Sequence, residues 1–186
     1  VDLGAKPLPG AEGETITEGL DGLRERLAEY YSLGARFAKW RATYTITDSL
    51  PSAYCIDVNA HALARYAALC QEANIVPIVE PEVLMDGTHT IERSYEVTTA
   101  VLEALYEELY AQRVVLEGTL LKPNMVLSGY SCSTQASVAD VAAATDAVVV
   151  RARLSGIGVA IRLLHDGPRG RCGTRPCRPA AASRRR

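Results

Sequence analysis

The stretch that most constrains this chain is Val115-Leu116-Glu117-Gly118-Thr119-Leu120-Leu121-Lys122-Pro123-Asn124-Met125. It is a short apolar run, β-branched at its start, closed by one lysine and then a proline. Proline disfavours the helical region for the residue before it, so Lys122 is pushed to an extended conformation and the strand ends there. A lysine ending a buried strand is costly unless its amine has a task or a partner. The rest of the chain must therefore bring something to that strand end.

Residues 1–14 are rich in Gly and Pro, lack periodicity and read as loop. Thr15-Ile16-Thr17-Glu18 has capping-box spacing, and Leu20, Leu23, Leu27 and Tyr30 or Tyr31 recur at helical intervals. That spacing predicts a helix closed by Gly34. Residues 37–42 read as a short strand, and 52–74 as a helix with Leu63, Tyr66, Ala67 and Cys70 on one face. The branched run at 75–79, interrupted only by Pro77, predicts a buried strand leading into Glu80-Pro81-Glu82. An Asp86-Gly87 turn precedes a helix over 91–112 that points Val101, Leu102, Leu105 and Leu109 inward. After the lysine strand, Ser137 is the candidate N-cap of a helix reaching about Arg151. Alternating helices and short apolar strands predict a parallel α/β sheet covered on both faces. A (β/α)₈ barrel and an open doubly wound sheet both satisfy the pattern. No Gly-x-Gly-x-x-Gly turn follows a strand, which counts against a dinucleotide fold.

The net charge of −2 conceals two unlike parts. Residues 151–186 hold ten of the twenty Lys and Arg with one acid, Asp166, while 1–150 carry ten basic and twenty-one acidic side chains. From about Gly156 the chain turns Arg/Pro/Gly/Ala-rich and is expected to be a disordered basic tail. Within it, Val159-Ala160-Ile161 begins one more apolar run that His165-Asp166-Gly167-Pro168 stops. The longest apolar run, around 138–150, is broken by Asp140, Thr145 and Asp146, so no membrane span is expected. No basic and apolar leader pattern stands at the start. Five scattered cysteines argue against a disulfide framework and for a reducing cytoplasm. Cys172, Cys177 and His165 form an incomplete zinc pattern, and His61 and His89 lack partners at ligand spacing.

Residues two apart on a strand share a face. Lys39 and Arg41 therefore point one way and Ala38, Trp40 and Ala42 the other, while Glu80 and Glu82 share a face on the next strand. Each pair alone reads as a solvated strand end or a salt bridge. Together with Lys122, they put charge at the carboxyl end of three successive strands, where parallel α/β folds place their active sites. The chemistry this allows is nucleophilic. Desolvation or nearby cations such as Lys39 and Arg41 activate a lysine, which attacks a ketone to give a carbinolamine. Loss of water to the iminium then needs a proton donor, for which a carboxyl among cations is suited. The guanidinium of Arg41 suits a phosphate.

At these residues the sequence resembles the class I, Schiff-base fructose-1,6-bisphosphate aldolases. Gly13-Glu14-Thr15 with Gly19-Leu20-Asp21-Gly22-Leu23 is similar to their segment before the fourth strand. Residues 37–41 are similar to the fourth strand, 75–82 to the fifth and 116–125 to the sixth, which bears the Schiff-base lysine. The resemblance implies part of a (β/α)₈ TIM barrel over residues 1–155, about strands four to six, followed by the 156–186 tail. It implies that Lys122 forms the iminium and Glu80 acts as acid/base. Lys39 would bind a substrate hydroxyl and assist proton handling, Arg41 would lie near a phosphate, and Glu82 would orient the lysines. It further implies reversible cleavage of fructose 1,6-bisphosphate without metal or other cofactor, in a cytoplasmic homotetramer. A membrane or nucleic-acid partner is not expected.

The family's first three strands, with a cleavage aspartate, have no counterpart here, nor does its Leu-Ser-Gly-Gly phosphate loop. The tail resembles out-of-frame translation of GC-rich coding sequence. The expectation is a partial sequence with little turnover of its own. Two other readings of the residues stand beside this one. One is a different lysine Schiff-base barrel aldolase. The other is a non-catalytic protein whose arginine-rich tail binds nucleic acid, although that tail has no aromatic residue for stacking.

Overall fold

A computed structural model describes residues 1–154, with the side chains of Arg153 and Leu154 left out. The expected tail, its apolar run at 159–161 and the pattern of His165, Cys172 and Cys177 lie outside the described residues. In order the elements are β1 (Ala5–Pro7), β2 (Thr15–Thr17), α1 (Leu23–Ser32), β3 (Phe37–Tyr44), α2 (Ala53–Glu72), β4 (Val76–Val83), α3 (Ile91–Ala111), a 3₁₀ turn (Leu116–Gly118), β5 (Leu120–Leu121) and α4 (Val138–Leu154). β1 and β2 form an antiparallel hairpin; β3, β4 and β5 form a parallel sheet in that order. The α/β grammar expected from the sequence is therefore present.

One face of the sheet makes the core. Ala38, Trp40, Ala42 and Tyr44 alternate inward along β3, opposite exposed Phe37, Lys39 and Arg41. Trp40 meets Tyr66 of α2 with ring centroids 5.4 Å apart. Tyr66 Oη donates to Ala38 O at 2.6 Å, so its polar end is satisfied inside the core. Buried Ala60, Ala64 and Ala67 keep α2 slim enough to lie close to the sheet.

β4 carries two prolines, and their positions explain why a central strand tolerates them. The N–H groups of Val76 and Leu84 donate toward β3, to Arg36 O and Tyr44 O, while Val79 O accepts from Lys122 N–H on the other side. Even-numbered N–H groups thus face β3 and odd-numbered ones face β5. Pro77 and Pro81 are both odd, so the long ladder to β3 loses no donor, and the loss falls beside two-residue β5.

Three expectations are corrected. Thr15-Ile16-Thr17-Glu18 does not cap a helix: Thr15–Thr17 is strand, and α1 starts at Leu23. Both threonine hydroxyls are taken by β3, Thr17 Oγ1 donating to Arg41 O at 2.6 Å and Thr15 Oγ1 to Thr43 O at 3.3 Å. The loop expected at 1–14 contains β1. The lysine stretch is also less regular than one strand, since Gly118 closes a 3₁₀ turn and only Leu120 and Leu121 join the sheet.

Among the described residues, the three helices that feed a strand end alike. After α1, Gly34 N–H bonds to Tyr31 O and Ala35 N–H to Tyr30 O. After α2 the donors are Asn74 and Ile75, and after α3 they are Arg113 and Val114, in the same pattern. This is the Schellman arrangement, with the left-handed position filled by Gly34 (φ 101), Asn74 (φ 56) and Arg113 (φ 59). A left-handed backbone costs an L-residue about 1–2 kcal/mol relative to glycine's free choice. Gly34→Ala should therefore lower stability by about 1 kcal/mol in urea unfolding, whereas Arg113→Gly, on an exposed residue, should not lower it. Equal losses at both sites would contradict the shared motif.

Candidate active site at the strand ends

The polar face of the sheet is built by the same alternation that makes the core. Lys39 and Arg41 leave β3 on the side opposite Trp40, Glu80 and Glu82 leave β4 on that side, and Lys122 follows β5 directly. Lys122 N–H donates to Val79 O at 2.9 Å, which extends the ladder by one bond before Pro123 ends it. The register sets Arg41 beside Glu80 and Thr43 beside Glu82. The ion pairs are nevertheless diagonal, each carboxylate reaching back to the residue two earlier on β3, a distance long side chains span.

Glu80 is the centre. Its Oε1 lies 2.5 Å from Lys122 Nζ and its Oε2 2.6 Å from Lys39 Nζ. Its side chain is 5% exposed, against 28% for Lys122 and 47% for Lys39. The carboxylate therefore lies beneath two amines that remain open to a ligand. Burial pushes the Glu80 carboxyl up, but hydrogen bonds from Lys122 and Lys39 and their charges outweigh it, holding the group below the usual carboxylate range. Glu82 pairs with Arg41. The contact with the lysines that the resemblance led one to expect of Glu82 is made by Glu80.

Sequence reading missed the side chains that hold the lysine segment. Gln71 of α2 acts as a strand substitute: its Oε1 accepts from Val115 N–H at 2.9 Å and its Nε2 donates to Val115 O at 2.6 Å. Beyond Lys122, Asn124 Oδ1 accepts from Val83 N–H at 3.0 Å, and Thr145 Oγ1 of α4 accepts from Val126 N–H at 3.0 Å. The one available signal was negative, since an apolar run with Gly118 in it is too short to hold itself by ladder bonds. His61 instead pairs with Glu108 on the outer surface, and His89 lies in the loop between β4 and α3. A cleft of about 1010 Å³ lies between the amino ends of α3 and α4, lined by Thr90, Tyr95, Gln135 and Ser137 among others, and holds none of the five charged residues. Among the described residues no cluster of three His, Cys, Asp or Glu side chains is placed to hold a metal ion. No described helix is long and apolar enough to cross a membrane.

Comparison with known proteins bears on the family and the fold. The family described as fructose-bisphosphate aldolase class-I (Glycolytic) matches residues 1–161. A probable fructose-bisphosphate aldolase class 1 of Xanthomonas axonopodis pv. citri is 64% identical over 145 residues, covering 78% of this chain and 43% of its own. A fructose-bisphosphate aldolase of Dictyostelium discoideum is 57% identical over 139 residues, covering 74% of this chain and 39% of its own. The Plasmodium falciparum aldolase, solved in a ternary complex with TRAP and a small-molecule inhibitor, superposes with a TM-score of 0.80 at 46% identity. That superposition covers 82% of this chain and 44% of the Plasmodium chain, so the barrel fold extends well beyond what this chain spans. The chain thus spans about two fifths of the length of the relatives it matches, and it belongs to the class I fructose-bisphosphate aldolase family.

Proposed function

We propose that the protein is a Schiff-base aldolase that cleaves fructose 1,6-bisphosphate reversibly to dihydroxyacetone phosphate and glyceraldehyde 3-phosphate. The observation that carries this reading is the single carboxylate of Glu80 shared by Lys122 and Lys39 at the carboxyl ends of parallel strands. The contact lets Glu80 accept a proton from the Lys122 ammonium, leaving a free amine to attack the substrate ketone. The amine nitrogen then passes a proton to the former carbonyl oxygen, giving a carbinolamine. Protonated Glu80 returns its proton to that hydroxyl, which leaves as water while the C=N bond forms. The balance is ammonium plus ketone to iminium plus water, and Glu80 ends as the carboxylate it began as.

Lys39 holds the far oxygen of Glu80 and, with its side chain half exposed, is placed to bind a substrate hydroxyl. Arg41 presents its guanidinium at the open edge for a phosphate, and Glu82 orients that guanidinium. The substrate class, the cytoplasmic location and a homotetrameric assembly rest on the family resemblance.

Iminium formation uses residues present in this chain, so it is the step to test. Borohydride reduction with dihydroxyacetone phosphate should attach the three-carbon adduct to the peptide containing Lys122, and Lys122→Met should abolish it. Labelling at Lys39, or undiminished labelling of Lys122→Met, would overturn the assignment.

Glu80 also makes a pH prediction. Its folded pKa lies below the unfolded value, so its stabilisation is complete above the unfolded pKa of about 4.3 and disappears as pH falls through the folded one. The stability difference between the unsubstituted protein and Glu80→Gln should be constant near neutral pH and shrink below about pH 4. A difference independent of pH down to acid unfolding would contradict the doubly paired carboxylate.

A further inference from the structure

We infer that Asn124 is a positioning residue for the Lys122–Glu80 contact, its carboxamide standing in for the strand that β5 is too short to provide. The inference rests on the proposed Schiff-base role of Lys122 and adds a determinant of how that lysine is aimed.

The backbone arithmetic requires such a residue. Odd-numbered N–H groups of β4 face β5, and after Val79 the next odd position is Pro81, which has no donor. The ladder between β4 and the lysine segment therefore ends at the Lys122 N–H bond to Val79 O. The following donor is Val83 N–H, on a residue 1% exposed, and a buried N–H without an acceptor is destabilising. Asn124 Oδ1 takes it at 3.0 Å.

The other end of the same carboxamide is anchored twice. Nδ2 donates to Met125 O at 3.0 Å, bending the chain after Pro123, and to Thr98 Oγ1 of α3 at 3.4 Å. Thr98 is 2% exposed, so the anchor is inside the protein. One side chain thus ties the end of β4, which bears Glu80 and Glu82, to the segment that bears Lys122 and to α3. Without it, Lys122 is fixed to β4 by a single backbone bond just ahead of a proline. A short contact between an amine and a carboxylate on two different strands depends on both strands being held, and small misplacements of reacting groups cost rate steeply.

Asn124→Ala removes both ends of the carboxamide, whereas Asn124→Asp keeps an acceptor for Val83 N–H and, with the Thr98 hydroxyl turned to donate, the anchor to α3, losing the bond to Met125 O. With borohydride and saturating dihydroxyacetone phosphate, Asn124→Ala should label Lys122 about tenfold more slowly or worse, and Asn124→Asp should recover part of the rate. The readout is the maximal rate, not the half-saturating concentration. Independently of any substrate, ¹³C NMR of the Glu80 carboxyl, identified by its absence in Glu80→Gln, should titrate at higher pH in Asn124→Ala than in the unsubstituted protein. An unchanged Glu80 titration in a folded Asn124→Ala protein would overturn the inference, as would an unchanged labelling rate. Absence of label in the unsubstituted protein would instead overturn the Schiff-base reading, leaving the titration to decide the role of Asn124.

Discussion

Glu80 lies almost wholly out of water between the ammonium groups of Lys122 and Lys39, and three strands have to end together for that to happen. A buried carboxylate stripped of its partners is strongly destabilising, on the order of 3–5 kcal/mol, so the sheet cannot pair in another register without a large penalty. A slip of β4 by one residue against β3 would turn Glu80 into the face that now holds Trp40 and Val79 and packs on Tyr66. The charge cluster and the core are therefore two consequences of one register. The proposed chemistry and the fold constrain the same residues.

The way each strand is supported follows from its length. β3 and β4 pair over eight residues and need little help, even with two prolines, because the prolines fall on the other edge. β5 pairs over two and is held instead by side chains that imitate backbone: Gln71 before it and Asn124 after it. A short strand braced from outside puts a lysine at the sheet's end without burying the amine fully. That leaves Lys122 both fixed and reachable, which a nucleophile needs.

Much of this was legible in the sequence, for reasons that differ by element. α2 and α3 were readable because their apolar residues recur at helical spacing and every named inward residue is buried. Gly34 was readable because glycine is the usual occupant of a left-handed helix end. The equivalent role of Arg113 was not, because Arg carries no such signature, whereas Asn74 bears a weaker one, asparagine being the usual substitute for glycine there. Thr15 misled because a threonine hydroxyl serves a helix N-terminus or a neighbouring strand's carbonyls equally well, and β3 lies 28 residues away in sequence. The faces of Lys39, Arg41, Glu80 and Glu82 were readable from period-two alternation, and Lys122 from its place before Pro123. Which carboxylate meets which cation was not, since diagonal pairing depends on how the strands lie beside each other. Gln71 and Asn124 were invisible for the same reason, as each serves a backbone group more than forty positions away.

The account turns on Glu80 carrying the proton that lets Lys122 form and lose a carbinolamine. Exchange of the ketone oxygen of dihydroxyacetone phosphate with ¹⁸O-labelled water reads that step directly, because each passage through iminium and water replaces the oxygen. The rate above the protein-free background should disappear in Lys122→Met and fall by about a hundredfold or more in folded Glu80→Gln, within the range for losing a general acid. Exchange in Glu80→Gln equal to that of the unsubstituted protein, with Lys122→Met inactive, would leave the lysine in place and contradict the role given to the carboxylate at the centre of the site.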